Sequence, residues 1–217
     1  NGGTWNGILS QGTGSVTNAS RWNGSFGISA GGSVTNNGVW DSAATDLSSV
    51  SNGLFDNLGT LSGGSVSVFG SNALLANRAG GTVSLASGAS LTASSGGQIT
   101  NAGTITASAQ ADAGGTITNL AGANWNGTLA VAAGGTLTNT GTITGTVTNT
   151  GSFTSTGTLS GTLANQAGGT ASLSGAVNGS VSNSGTINLT GATTGIGAFT
   201  QTDTGVFNLA GNSTSLG

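Results

Sequence analysis

A six-residue unit recurs along this chain: two glycines, a hydroxyl or amide residue, an aliphatic residue, a hydroxyl residue and often an asparagine. Seven copies begin at Gly31, Gly63, Gly80, Gly96, Gly114, Gly134 and Gly168. The steps between them are 32, 17, 16, 18, 20 and 34 residues, and each long step is about twice the others. A period of about 17 residues predicts a solenoid, in which each repeat is one coil stacked on its neighbours.

The unit itself is typical of a short β-strand after a tight corner. Ser and Thr alternate with Val, Ile or Leu, as in a half-buried strand, and glycine permits the positive φ of a corner. Five strand centres are predicted to stack inside the solenoid, one per coil: Val66, Val83, Ile99, Ile117 and Leu137. Strand centres counted from Val16 to Val206 predict an all-β parallel β-solenoid of about 12 coils of 16–20 residues.

A second motif, Asn-x-Gly-[Thr/Ser]-[Ile/Leu/Phe], places an asparagine at the end of one strand and a glycine before the next. Equivalent asparagines are predicted at Asn101, Asn119, Asn139, Asn165 and Asn183. These side chains would stack as an amide ladder, or each would serve only as a turn residue. The two interpretations are compatible, and neither implies a ligand.

The sequence predicts one β-solenoid domain over residues 1–217, with an irregular coil or insertion at about 38–61. Six apolar residues there are three or four positions apart, as on one face of a helix: Trp40, Ala44, Leu47, Val50, Leu54 and Leu58. A short lateral helix is therefore one interpretation. The other is an ordinary coil with a longer turn, favoured by the strand-like Asn57-Leu58-Gly59-Thr60-Leu61 and by serines that form helices poorly.

Charge is scarce, since two Arg and five Asp are the only charged residues among 217. Arg21 and Arg78 alone make no basic surface for nucleic acid or a membrane. No apolar run reaches the roughly 18 residues of a membrane-spanning helix, so we expect no membrane insertion. No secretion signal is evident at the start, so any such signal is expected to have been removed or to lie outside this sequence.

Catalytic and metal-binding sites are not expected, and neither is a cofactor. The chain has no His, Cys, Lys or Glu for a triad or a zinc site. Asp112 and Asp203 are far apart, and Asp41, Asp46 and Asp56 have no basic neighbour in sequence. Calcium-binding nonapeptide repeats require an acidic residue in each turn, whereas the turns of this chain carry Asn or no acidic residue.

Two features suggest surface contacts. Trp5, Trp22 and Trp125 each precede Asn-Gly, and exposed rings there would contact a glycan, a protein partner or a second copy of the chain. The favoured alternative is that these rings cover the core near an end or at a wide corner. The Thr-x-Thr pairs are similar to the hydroxyl and methyl array of ice-binding solenoids, although Ser, Gln and Ala interrupt them and coil length varies.

The Gly-Gly-Thr-[Val/Ile/Leu]-Thr-Asn and Asn-x-Gly-Thr-[Ile/Leu] units resemble the repeats of secreted bacterial β-solenoid proteins, namely autotransporter passengers and filamentous-haemagglutinin-like exoproteins. The resemblance extends over nearly the whole chain. It implies a right-handed parallel β-helix, location outside the cell or on the bacterial surface, and roles in adhesion, aggregation or biofilm formation. The chain lacks a translocator barrel or a recognisable secretion domain, which leaves the export route open.

We therefore expect a non-enzymatic structural or adhesive module whose partners are a host or matrix glycan or protein. A first alternative is a subunit that stacks end to end into a fibre through uncapped solenoid ends. A second, minor alternative is an ice-binding solenoid.

Overall fold

The structure, a computed structural model, describes residues 3–191, 195–202 and 204–210. Within them the chain forms 32 short strands and no helix, and all paired strands are parallel. From β1 to β30 successive strands belong in turn to a first, a second and a third sheet, so one coil contributes one strand to each. This arrangement confirms the predicted all-β parallel solenoid, with about 11 coils instead of 12.

The ten strands of the first sheet are β1 Thr4–Asn6, β4 Arg21–Asn23, β7 Val39–Asp41, β10 Thr60–Gly63, β13 Thr82–Leu85, β16 Thr104–Thr106, β19 Asn124–Trp125, β22 Thr142–Ile143, β25 Thr158–Leu159 and β28 Ala176–Val177. The eleven strands of the second sheet are β2 Leu9–Gln11, β5 Phe26–Ile28, β8 Leu47–Ser51, β11 Ser65–Phe69, β14 Ser90–Ser94, β17 Ser108–Ala111, β20 Leu129–Val131, β23 Val147–Asn149, β26 Leu163–Asn165, β29 Val181–Asn183 and β31 Phe199–Gln201. The eleven strands of the third sheet are β3 Ser15–Asn18, β6 Ser33–Asn36, β9 Leu54–Asn57, β12 Leu74–Asn77, β15 Gln98–Asn101, β18 Thr116–Asn119, β21 Thr136–Asn139, β24 Ser152–Ser155, β27 Thr170–Leu173, β30 Thr186–Leu189 and β32 Val206–Leu209.

The core is a set of columns, each of which takes one inward side chain from every coil. In the third sheet Ile99, Ile117 and Leu137 follow one another in register, and all three are fully buried. On each of these strands the residues immediately before and after the inward one point outward, as expected for a strand whose side chains alternate between its two faces. Because each coil is held by the coils on either side, stability comes from contacts between neighbours and not from one large core.

The prediction that Val66 and Val83 belong to this same column was wrong. Val83 pairs with Leu61 and Ile105 in the first sheet, whereas Val66 lies in the second sheet beside Leu91. The Gly-Gly unit therefore occurs at all three corners of the solenoid. Each local repeat encodes a corner and a strand, and nothing within it specifies the sheet that the strand joins.

This finding also corrects the predicted coil length. The step from Gly63 to Gly80 leads from a second-sheet strand to a first-sheet strand of the next coil, so 17 residues there cover two sides of the solenoid. Successive asparagines that end third-sheet strands give the true repeat, with steps of 18, 21, 20, 24, 18 and 20 residues. A step of 16 follows, so coils range from 16 to 24 residues along this corner.

The segment 38–61 is an ordinary coil, and the alternative of a lateral helix was wrong. It contains β7, β8, β9 and the start of β10 in their usual sheets. Trp40 and Val50 are buried, but Leu47 and Leu58 are exposed, so the helical spacing does not define one face. The longer turn lies at 42–46, where Asp46 accepts a hydrogen bond from the Ala43 amide over 3.0 Å.

A buried amide ladder runs along one corner of the solenoid, where third-sheet strands end. In each of its first six steps the Nδ2 of one asparagine donates to the Oδ1 of the next over 2.8 Å, and in the last step Asn139 donates to Ser155 Oγ over 3.1 Å. Its members are Asn18, Asn36, Asn57, Asn77, Asn101, Asn119, Asn139 and Ser155. All are almost completely buried.

Each amide group also joins the strand across the corner. The second proton on Nδ2 of Asn101 is donated to the main-chain oxygen of Asn124 over 3.0 Å, and Asn119 bonds Thr142 in the same way. The Oδ1 of Asn101 additionally accepts the Gly103 amide, which is the turn role considered from the sequence. Among the described residues no buried side-chain nitrogen or oxygen lacks a partner. The ladder and turn interpretations are therefore both confirmed for Asn101.

The ladder changes corner partway along the rod. Asn165 and Asn183, which the sequence placed beside Asn139, belong to a second ladder at the ends of second-sheet strands, in the order Asn149, Asn165, Asn183 and Gln201. In the second sheet Asn149 follows Val131 in the column, and in the third sheet Leu173 follows Ser155. The coil with Asn149 and Ser155 belongs to both ladders, so the buried polar column passes to the next corner without a gap.

A column of glycines marks the corner between first-sheet and second-sheet strands. Its members, Gly127, Gly145, Gly161 and Gly179, follow one another in successive coils. A Cβ on Gly145 would overlap the main-chain oxygen of Gly127, because the backbones of neighbouring coils are in direct contact here. Glycine at positions 127, 145, 161 and 179 therefore lets neighbouring coils approach this closely.

We predict that Gly145→Ala lowers the free energy of unfolding by about 1–3 kcal/mol, since the added methyl group must displace a neighbouring coil. Thermal and chemical denaturation followed by circular dichroism would measure the change. Gly12→Ala is the matched control, because a Cβ there meets no atom within 4 Å. Equal stability of the two variants would contradict the close approach described for Gly145.

We also predict that Asn119→Ala costs about 1–3 kcal/mol of unfolding free energy, because the Nδ2 of Asn101 loses an acceptor and the Oδ1 of Asn139 loses a donor inside the core. The matched control is Asn188→Ala, which removes a similar Asn–Asn bond at the surface. We expect a change below about 0.5 kcal/mol for this control. A control that is as destabilising as Asn119→Ala would show that burial of the ladder is unimportant.

Candidate functional site

The outer face of the third sheet carries two columns of hydroxyl side chains. One column contains Thr116, Thr136, Ser152, Thr170 and Thr186, and the other contains Thr100, Thr118, Thr138, Thr154 and Ser172. These residues are exposed or half-buried, and none is charged. Neighbouring coils place them about 4.8 Å apart along each column, which is the spacing of hydrogen-bonded strands.

The regularity of this face does not depend on constant coil length. The coils from Asn101 to Asn119 and from Asn119 to Asn139 differ by two residues, yet Thr118 and Thr138 remain directly paired. Extra residues lie in corners, as between Asn119 and Asn124, and leave the strand register unchanged. The variable spacing seen in the sequence is therefore no obstacle to an ordered surface.

The three tryptophans singled out from the sequence occupy different environments. Trp125 is fully buried in the first-sheet column, and its Nε1 donates to the Ala107 oxygen over 3.1 Å. Trp22 is half-buried and donates to the Gly7 oxygen over 2.9 Å. Trp5, in the first described coil, is 51% exposed. In this conformation Trp5 and part of Trp22 are accessible to a partner, and Trp125 is not.

Trp5 and Trp22 extend a stack of indoles over one end of the described core. The Trp5 and Trp22 ring centroids are 5.7 Å apart, those of Trp22 and Trp40 are 4.9 Å apart, and the ring planes in both stacked pairs are nearly parallel. Trp40 is fully buried and contacts Phe26 edge-on at 5.4 Å. The three indoles point inward in one first-sheet column, so the exposure of Trp5 reflects its position in the first described coil.

The charged residues of the described part mostly neutralise one another. Arg21 and Asp41 form an ion pair at 2.5 Å, and Arg78 pairs with Asp56. The remaining two, Asp46 and Asp112, accept hydrogen bonds from the Ala43 amide and the Gln110 side chain. Among these residues no three acidic groups come together as they would in a metal site. Asp203 lies outside the described residues.

The outer face of the second sheet carries a shallow groove that the sequence gave no reason to single out. Its volume is about 260 Å³, and it crosses four coils, from Ser90 to Thr148. The groove forms where a small outward residue, Ala130, stands between longer side chains. Only the register between coils brings Gln110 and Thr148 to either side of Ala130, so no local motif marks this site.

No helix in the described part of the chain is long and apolar enough to cross a membrane. No protein-family model matches the sequence, and no curated protein does. Among solved structures the chain is similar to the crystal structure of the TibC-catalyzed hyper-glycosylated TibA55-350 fragment, with 16% sequence identity and a TM-score of 0.29. That match covers 95% of this chain and 96% of the other.

Proposed function

We propose that this chain is a structural and adhesive module that presents long, nearly uncharged sheet faces outside a bacterial cell. The observation that supports this most directly is the unbroken register of the three sheets, fixed inside by the two amide ladders. A rod of 11 coils at about 4.8 Å per coil is about 50 Å long. Such a rod holds its outer hydroxyl columns in fixed positions.

The proposed mechanism is mechanical and non-enzymatic. Hydrogen bonds between coils connect every strand to those on either side, and the ladders add buried bonds along the rod axis. The surface then adheres to a glycan or protein of a host or matrix through many weak contacts with Ser, Thr and Asn side chains. The resemblance of the repeat units to secreted bacterial solenoids supports the extracellular location.

Adhesion of this kind should depend little on salt, because the contacting faces have almost no net charge. We predict that beads coated with the protein bind to bacterial cells or matrix with less than a twofold change between about 0.01 M and 1 M salt. The double variant Thr118→Lys/Thr138→Lys, which adds two charges to the third-sheet face, should make binding salt-dependent. Failure of the parent protein to bind any such surface would overturn the proposed function.

Electron microscopy of the purified protein separates a rod-like module from a fibre subunit. We expect single rods about 50 Å long. Long fibres would instead support end-to-end stacking, and Trp5→Ser would then shorten them, because the exposed Trp5 ring lies at one end of the described core.

Ice binding is a second candidate, and the regular third-sheet face favours it. Thr116, Thr118, Thr136 and Thr138 form an ordered patch of methyl and hydroxyl groups in register between coils. Thermal hysteresis of the purified protein tests this candidate, with Thr118→Tyr expected to abolish it. Thr104→Tyr, on the outer face of the first sheet, should leave it unchanged. Absence of hysteresis in the parent protein would remove this candidate.

A further inference from the structure

We propose that the groove on the outer face of the second sheet binds a neutral glycan chain. This inference rests on the adhesive function proposed above and assigns it a ligand class and a site. The groove is lined by six residues whose side chains point outward: Ser90, Ser108, Gln110, Thr128, Ala130 and Thr148. Four successive coils contribute to it, so the groove is about 14 Å long at the usual strand spacing.

Ala130 forms the floor of the groove. In the register of the second sheet Ala130 lies between Gln110 of the preceding coil and Thr148 of the next. Its methyl group is shorter than either neighbour, which creates the depression. Ala109 and Leu129 lie beneath and are 4% and 1% exposed, so the floor rests on packed core. A fixed floor favours binding because little side-chain entropy is lost on contact.

Hydrogen bonds within the groove leave a donor on Ser108 and an acceptor on Gln110 for a ligand. The Thr128 hydroxyl donates to Ser108 Oγ over 2.8 Å, so the Ser108 proton remains available. Gln110 donates its Nε2 proton to Asp112, and among the described residues no group donates to Gln110 Oε1. Ser108 and Gln110 are two residues apart on one strand and share the outer face. A sugar hydroxyl both donates and accepts, and so matches this pair.

The charges around the groove favour a neutral ligand. None of the lining residues is charged. Asp112 is a nearby acidic residue that contacts Gln110 and disfavours a sulfate, a sialic acid or a uronate. Hydroxyl and amide groups remain as the means of recognition, and they suit unmodified hexose and N-acetylhexosamine units.

An array of neutral, sialylated and sulfated oligosaccharides, probed with the full chain, tests the proposal. We expect binding to neutral chains only. Ala130→Trp should weaken that binding by about tenfold or more by filling the groove. Ala176→Trp is the matched control, since Ala176 is also half-buried and outward-facing but lies on the first sheet, and it should leave binding unchanged. Gln110→Leu should weaken binding similarly, and it carries the test if Ala130→Trp does not fold.

The outcomes separate this inference from the proposed function. If the parent protein adheres to cells or matrix but binds no neutral glycan, the groove proposal is overturned and the adhesive function stands. Preferential binding of sulfated or sialylated chains, or an equal loss with Ala176→Trp, also overturns it. If neutral glycans bind and Ala130→Trp abolishes this while bead adhesion to other surfaces persists, the groove is supported as one site among several.

Discussion

Register between neighbouring coils is the constraint on which this structure depends. Backbone hydrogen bonds hold the strands of each sheet parallel, but those bonds alone would tolerate a shift along the strand. The buried amides remove that freedom, because an asparagine that moved by one residue would leave donors and acceptors unpaired in the core. Fixed register aligns the aliphatic columns inside, and it also aligns the hydroxyl columns outside.

The transition between the two ladders shows that the buried polar column is confined neither to one corner nor to one sheet. Up to Asn139 the amides end third-sheet strands, and from Asn149 they end second-sheet strands. Where the amides leave the third sheet, leucines such as Leu173 and Leu189 take their place. Asparagine with its two donors can close a tight corner and bond the next coil simultaneously, and leucine can do neither. Each coil near the handover therefore keeps one amide-lined corner.

The surface properties follow from the same architecture. A solenoid with few charges exposes mainly hydroxyl, amide and methyl groups, and the fixed register orders them into columns. A small residue in such a column then leaves a depression in the surface, as Ala130 does between Gln110 and Thr148. Such a scaffold can acquire a binding site on any of its faces while the interior remains constant.

The sequence alone determined the strand and corner pattern, the parallel solenoid and the asparagines at its corners, because alternation and Asn-Gly corners are local properties. Only the tertiary structure decided which sheet each unit joins, so that Val83 and Ile99 lie in different columns and Asn165 lies in a different ladder from Asn139. The groove at Ala130 could not be predicted from the sequence either, because no local motif marks it. All three sides are built from similar strand-and-corner units, and insertions are absorbed in the corners, so only contacts between coils distinguish one side from another.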